Sequence, residues 1–65
     1  AKLVNGALAR LPEHHRVTLE LRYQAGMSYS DIAAATGVAI GTVMSRLFNA
    51  KNKLRQAVRE LEQGN

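Results

Sequence analysis

Apolar residues along the last third of the chain recur at the spacing of an amphipathic helix. At about 100° per residue, the following side chains fall within roughly 60° of one line: Val43, Leu47, Ala50, Leu54, Val58 and Leu61. The opposite side of the same helix carries Gly41, Met44, Ser45, Phe48, Asn49 and Asn52. The first set predicts a core face. A phenylalanine centred among polar residues on the other face does not fill a core, so we expect this surface to be functional.

Three shorter helices are predicted before the long one. The first runs from Lys2 to about Arg10. The second runs from about Pro12 to Ala25, because proline fits the first turn of a helix and Gly26 ends it. The third runs from Tyr29 to Thr36 and stops at Gly37.

The third predicted helix begins with Ser28 and Asp31 at the spacing of a capping box. Residues 38–40 form a turn, and the final helix continues to about Glu62. A short capped helix, a turn and a second amphipathic helix with a basic outer face are typical of a helix-turn-helix. The sequence therefore predicts an all-α, four-helix domain of the winged helix-like DNA-binding class, without a wing.

In a helix-turn-helix the second helix enters the major groove of DNA. Its exposed residues suit distinct contacts with bases and phosphates. We expect hydroxyl contacts from Thr42 and Ser45, thymine-methyl contacts from Met44 and Phe48, an adenine contact from Asn49 and a phosphate contact from Arg46, with Gly41 allowing close approach and Lys51 extending the basic footprint. The alternative for Phe48 is packing against a further domain.

The second predicted helix is apolar on two sides. Val17 and Leu21 lie together, whereas Leu19 and Tyr23 point away from them. Such a helix is either sandwiched or partly exposed for a partner, and sandwiching is the commoner arrangement.

Charge adds support for a polyanionic partner. Residues 1–37 carry four cations and three carboxylates, whereas residues 38–65 carry five and two, so most of the net charge of +4 lies on the last helix. Concentrated basic charge fits nucleic acid. The alternative is a merely solvated cationic face.

The sequence favours no enzyme, cofactor or metal. It has no cysteine. His14 and His15 are adjacent and project about 100° apart, whereas chelation on a helix favours a spacing of three or four. The sequence contains no run of about 18 apolar residues, so it predicts no membrane span. No cleavable signal is apparent. We expect a cytoplasmic domain, residues 1–65, that is a fragment of a longer protein.

Short motifs follow one another along residues 7–55: Leu11-Pro-Glu13, Leu19-Glu-Leu-Arg-Tyr23, Gly26-Met-Ser-Tyr29, Asp31-Ile-Ala33, Gly41-Thr-Val43 and Ser45-Arg-Leu47. Together they resemble region 4, the C-terminal promoter-recognition domain, of bacterial sigma-70 family factors. The resemblance is closest to the extracytoplasmic-function group.

This resemblance implies that the last helix recognises the −35 promoter element and that the domain docks on the β-flap of RNA polymerase core. The family's base-contact positions fall on Met44, Ser45, Phe48 and Asn49. Its phosphate-contact positions fall on Thr42, Arg46 and the start of the third helix, namely Ser28, Tyr29 and Ser30. Many members are silenced by an anti-sigma factor, for which Leu19 and Tyr23 are the docking site we predict.

Three residues depart from the family pattern. Relatives usually carry Lys or Arg at the position of Met44, often a basic residue at Asn49, and commonly a proline at Ala39. With fewer cations in the groove, we expect weaker non-specific affinity, a flatter salt dependence and a preference for A·T-rich bases.

Two alternatives stay open at this point. One is the response-regulator (LuxR-type) helix-turn-helix, which shares the Gly-Met-Ser start and the Thr-Val pair, although the Ser45-Arg-Leu47 run favours sigma. The other is a protein-interaction module whose cationic helix binds an acidic anti-sigma partner.

Overall fold

Four helices make up residues 2–64, the part of the chain that the computed structural model describes. They are α1 (Lys2–Ala9), α2 (Glu13–Tyr23), α3 (Tyr29–Thr36) and α4 (Ile40–Glu62), and the described residues contain no strand. The all-α, four-helix class predicted from the sequence is confirmed. With 23 residues, α4 is about 34 Å long and nearly spans the 38 Å long axis of the domain.

The core lies along one face of α4, against which the other three helices pack. Leu19 of α2 and Ile32 of α3 meet Val43, Leu47 and Ala50 of α4 there. Burying an aliphatic side chain of this size stabilises a fold by about 1.5–3 kcal/mol. The predicted core face of α4 is thus confirmed in its first half.

Farther along α4, the predicted Leu54, Val58 and Leu61 are only half-buried, whereas Ala57 is fully buried. The buried residues where α1 packs against this part of α4 are small ones, Ala7 and Ala57. A Cβ atom added at Gly6 would lie 3.4 Å from Leu61 Cδ1, so α1 approaches α4 closely there.

Both ends of α2 differ from the prediction. The α2 helix begins at Glu13 because the backbone of Pro12 is extended (φ −54°, ψ 147°). It ends at Tyr23, two residues early, where the Ala25 amide donates to the Glu20 carbonyl at 3.0 Å. Gly26 and Gly37, with φ of 70° and 71°, then occupy the left-handed region that a Cβ disfavours.

The buried face of α2 consists of His15, Thr18 and Leu19, two of which are polar. The Thr18 hydroxyl donates to the His14 carbonyl at 2.6 Å and is satisfied within its own helix. Leu19 is only 4% exposed and packs in the core, so a partner at this face could touch no more than the small accessible part of its side chain. Tyr23, its predicted companion, is 57% exposed.

His15 is the buried polar group without a matching partner. Its Nδ1 atom has no hydrogen bond among the described residues. Burial lowers the pKa of His15, and the charges of His14, Lys53 and Arg46 lower it further. Because this pKa lies below the ordinary value of 6.5, the unfolded chain binds more protons than the folded chain as the pH falls through that value. Lower pH therefore favours the unfolded state.

Among residues 2–64, no single helix is both long and apolar enough to cross a membrane; α3 and α4 pass that test of length and composition only as a pair, bent by 103°.

We expect His15→Leu to raise the free energy of unfolding by about 1–3 kcal/mol at neutral pH, because it removes an unsatisfied buried polar atom. The native chain should lose stability as the pH falls below about 6.5, and the variant should lose much less. Urea unfolding at a series of pH values measures both effects.

The adjacent, exposed His14 provides the control for this prediction. His14→Gln should keep most of the pH dependence, because burial is the larger cause of the lowered pKa of His15. The same pH dependence in native and His15→Leu chains would contradict the account.

Candidate nucleic-acid interface

The first turns of α4 present an apolar ridge to solvent. Ile40, Met44 and Phe48 are 49%, 54% and 68% exposed, and their spacing of four residues aligns them along the helix. Met44 and Phe48 lie on the exposed side, as predicted. Ile40 was missed because the sequence analysis placed it in the turn, although its spacing from Met44 was visible.

Polar residues adjoin this ridge. Ser45, Asn49 and Asn52 are exposed, as are Gly41 and Thr42 in the first turn of α4. A Cβ atom added at Gly41 would meet nothing within 4 Å, so packing within the described residues does not require glycine there. The structure thus collects the predicted base-contact residues on one accessible surface.

The α3 helix is fixed at its start by Ser28. The Ser28 hydroxyl accepts a hydrogen bond from the Asp31 amide at 3.0 Å, which is half of the predicted capping box. Within residues 2–64, the Asp31 carboxylate accepts no return bond from the Ser28 amide. The chain then bends by 103° from α3 into α4, within the range of helix-turn-helix motifs.

Ala39 leads the chain into α4 with an extended backbone (φ −67°, ψ 152°). That φ is the one a proline ring imposes. The departure from the family pattern at Ala39 therefore leaves the turn in a proline-compatible conformation.

Tyr29 is half-buried against the core, unlike the exposed Ser28 and Ser30. The Arg22 guanidinium lies 4.9 Å from the centre of the Tyr29 ring. Arg22 also donates to the Met27 carbonyl at 2.9 Å. Arg22 therefore ties the end of α2 to the start of α3, a role that its sequence position near a helix end did not reveal.

Lys51 reaches toward α2. Its ammonium lies 5.3 Å from the centre of the Tyr23 ring. The nearby Tyr23 side chain raises the pKa of Lys51. Lys51, predicted to bind DNA, therefore contacts Tyr23, predicted to bind a protein partner. The spacing of the two residues in the sequence did not indicate this contact.

An open, mostly apolar groove of about 430 Å³ lies beside this pair, between α1, α2 and α4. Leu19 forms part of its lining, although its side chain is nearly all buried. The other lining residues are Val4, Leu8, Glu20, Tyr23, Gln24, Lys51 and Leu54.

Charge on α4 is strongly asymmetric along its length. From Ile40 to Arg59 the helix carries cations and no carboxylate, and its acidic residues, Glu60 and Glu62, stand in the last turn. Half-buried Arg46 lies close enough to His15 to lower its pKa. The five cations are Arg46, Lys51, Lys53, Arg55 and Arg59.

A capped short helix, a sharp turn and a cationic second helix with an open face define a helix-turn-helix protein. Residues 2–54 match the family described as Sigma-70, region 4. The chain therefore belongs to the sigma-70 family as a region 4 domain, and several relatives that it resembles are named ECF RNA polymerase sigma factors. This decides against the response-regulator alternative.

Three relatives illustrate the similarity. The RNA polymerase sigma-H factor of Pseudomonas aeruginosa is 40% identical over 58 residues, covering 89% of this chain and 30% of the relative. The ECF RNA polymerase sigma factor SigL of Mycobacterium tuberculosis is 42% identical over 59 residues, covering 91% and 33%. The ECF RNA polymerase sigma-E factor of Salmonella typhimurium is 37% identical over 60 residues, covering 92% and 31%. The chain thus spans about a third of the length of these relatives.

We expect Ser28→Ala to lower the free energy of unfolding by about 1 kcal/mol, because the Asp31 amide loses its cap. Ser28→Asp should retain most of the stability, since aspartate caps equally well. Ser30→Ala, an exposed serine on the same helix, is the matched control and should change stability little. Equal losses for Ser28→Ala and Ser30→Ala in urea unfolding would show that the cap is unimportant.

Proposed function

We propose that this chain is the DNA-binding domain of a bacterial RNA polymerase sigma factor and that α4 reads the −35 element of promoters. The observation that carries the proposal is the run from Ile40 to Arg55, which has four cations, no carboxylate and an open face toward its N-terminal end. Such a helix suits the negatively charged walls of a DNA groove. The names of the relatives, all RNA polymerase sigma factors, support the same assignment.

In this proposal the exposed side chains of α4 contact base edges, and the surrounding hydroxyl and cationic groups contact phosphates. Met44, Ser45, Phe48 and Asn49 face the bases. Thr42 and Arg46, both on α4, bind phosphates of the DNA. Gly41 allows the DNA backbone to approach the start of α4 closely. The phosphate contacts from the start of α3 come from Ser28 and Ser30, with Tyr29 positioned beside them.

Promoter recognition by a sigma factor takes place where the chromosome and the polymerase are. We therefore place the protein in the bacterial cytoplasm. The domain contributes binding rather than catalysis, and the proposal needs no cofactor.

We expect Arg46→Ala to weaken binding to promoter DNA and to lower the slope of log affinity against log salt by about 1, because one phosphate contact is lost. Met44→Lys should have the opposite effect on the slope, since it adds a cation next to the groove. Both are measured by titrating labelled promoter duplex with polymerase holoenzyme at several salt concentrations.

Arg59→Ala is the matched control, because it removes the same charge from the same helix roughly 20 Å from Arg46. It should leave the affinity nearly unchanged. If Arg46→Ala and Arg59→Ala behave alike, the phosphate role of Arg46 and the placement of DNA at the start of α4 are both wrong.

The groove between α1, α2 and α4 supports a second part of the proposal, docking on RNA polymerase core through its β-flap. Its walls are mainly apolar, and Tyr23 presents a ring with a polar tip at its edge. Aromatic residues of this kind often anchor protein interfaces. An anti-sigma factor that occupies the same groove would compete with the polymerase.

We expect Tyr23→Ala to weaken binding to polymerase core at least several-fold while leaving the fold intact, because the side chain is more exposed than buried. Surface-immobilised core enzyme measures the affinity. Leu3→Ala, an exposed apolar residue of α1 outside the groove lining, should have no effect. Unchanged core binding by Tyr23→Ala would remove the groove from the proposal.

A further inference from the structure

The apolar ridge of Ile40, Met44 and Phe48 is unusual for a cationic helix. Within residues 2–64, each of the three side chains keeps about half or more of its surface open to solvent. An aligned set of exposed apolar side chains marks a binding surface more often than isolated ones do. The ridge therefore suits a ligand that has apolar groups where it contacts Met44 and Phe48.

The surrounding charge indicates what that ligand is. Arg46 lies within the length of the ridge, Lys51, Lys53 and Arg55 follow it, and α4 carries no carboxylate over this stretch, so the ligand is anionic overall. In the major groove of DNA the apolar group on a base edge is the 5-methyl group of thymine. A ligand that combines a strong negative charge with small apolar groups is therefore an A·T-containing groove.

The polar residues beside the ridge point the same way. Asn49 follows Phe48 directly and is exposed, and an asparagine amide can pair with the adenine edge. Guanine is read most often by Arg or Lys, yet the exposed face formed by Gly41, Met44, Ser45, Phe48, Asn49 and Asn52 contains neither.

We infer that Met44 and Phe48 read thymine through its 5-methyl group. This inference rests on the proposed function and specifies its base preference. The two side chains are one helical turn apart, about 6 Å along the helix axis, which exceeds the roughly 3.4 Å between successive bases on one strand. Each side chain therefore reads a different thymine.

The test begins with the selection of binding sites by polymerase holoenzyme from duplexes that contain about ten randomised base pairs, one turn of DNA. The selected site should contain A·T pairs with at least two thymines. Each thymine is then replaced by deoxyuridine, which removes only the methyl group. Affinity should fall about fourfold for each replacement, the loss expected for one buried methyl group.

Variants of the protein identify the side chain that contacts each methyl group. In Phe48→Ala, replacing one of the two thymines by deoxyuridine should no longer matter, and in Met44→Ala the same should hold for the other. Leu3→Ala, a matched apolar truncation on α1, should retain the full discrimination at both positions. Circular dichroism of each variant checks that it is folded, as expected for exposed side chains.

The inference is overturned if the selected site lacks the thymine pair, if deoxyuridine binds as well as thymine, or if the loss persists unchanged in both alanine variants. It is also overturned if Phe48→Ala reduces binding to polymerase core rather than to DNA, because the ridge is then a protein interface. If Arg46→Ala binds the selected site weakly, but the native protein binds deoxyuridine as well as thymine there, this inference alone fails and the proposed function stands. If no site is selected, and the native and Arg46→Ala proteins bind DNA equally well, the proposed function itself is wrong.

Discussion

The structure depends on the packing of three short helices against one face of α4. Val43, Leu47 and Ala50 form the line that Leu19 and Ile32 cover. Since one side of α4 is committed to this core, the opposite side is presented to solvent over its whole first half. The same packing therefore stabilises the domain and orients the surface that we propose binds DNA.

The capped start of α3 and the turn into α4 make this orientation specific. Ser28 holds the first turn of α3, and Arg22 ties the preceding segment to both Met27 and Tyr29. A helix that is fixed at both its entry and its packing face presents side chains with little rotational freedom. Reading individual bases requires this kind of fixed geometry.

Much of this arrangement was visible in the sequence. The period of apolar residues predicted α4 and the first half of its core face, and the turn residues predicted all four helices. Long periodic segments are reliable in this way because their burial depends on one repeated spacing. The motif runs also predicted the family, which the match over residues 2–54 confirms.

The features that were missed depend on contacts between distant parts of the chain. His15 and Thr18 are polar, so no apolar pattern placed them on the buried face of α2, and whether Leu19 was sandwiched or exposed for a partner stayed open. The pairing of Arg22 with Tyr29 and of Lys51 with Tyr23 joins residues whose sequence spacing carries no signal. Ile40 was missed for a local reason, since a one-residue difference in the start of α4 moves it from turn to ridge.

The central claim is that the open face of α4 meets DNA, while Tyr23 faces protein. A photo-crosslinking amino acid placed at position 48, and separately at position 23, tests this directly in polymerase holoenzyme bound to promoter DNA. The account predicts that the probe at position 48 links to DNA at the −35 element and that the probe at position 23 links to a polymerase subunit. Cross-links from position 48 to protein, with none to DNA, would contradict it.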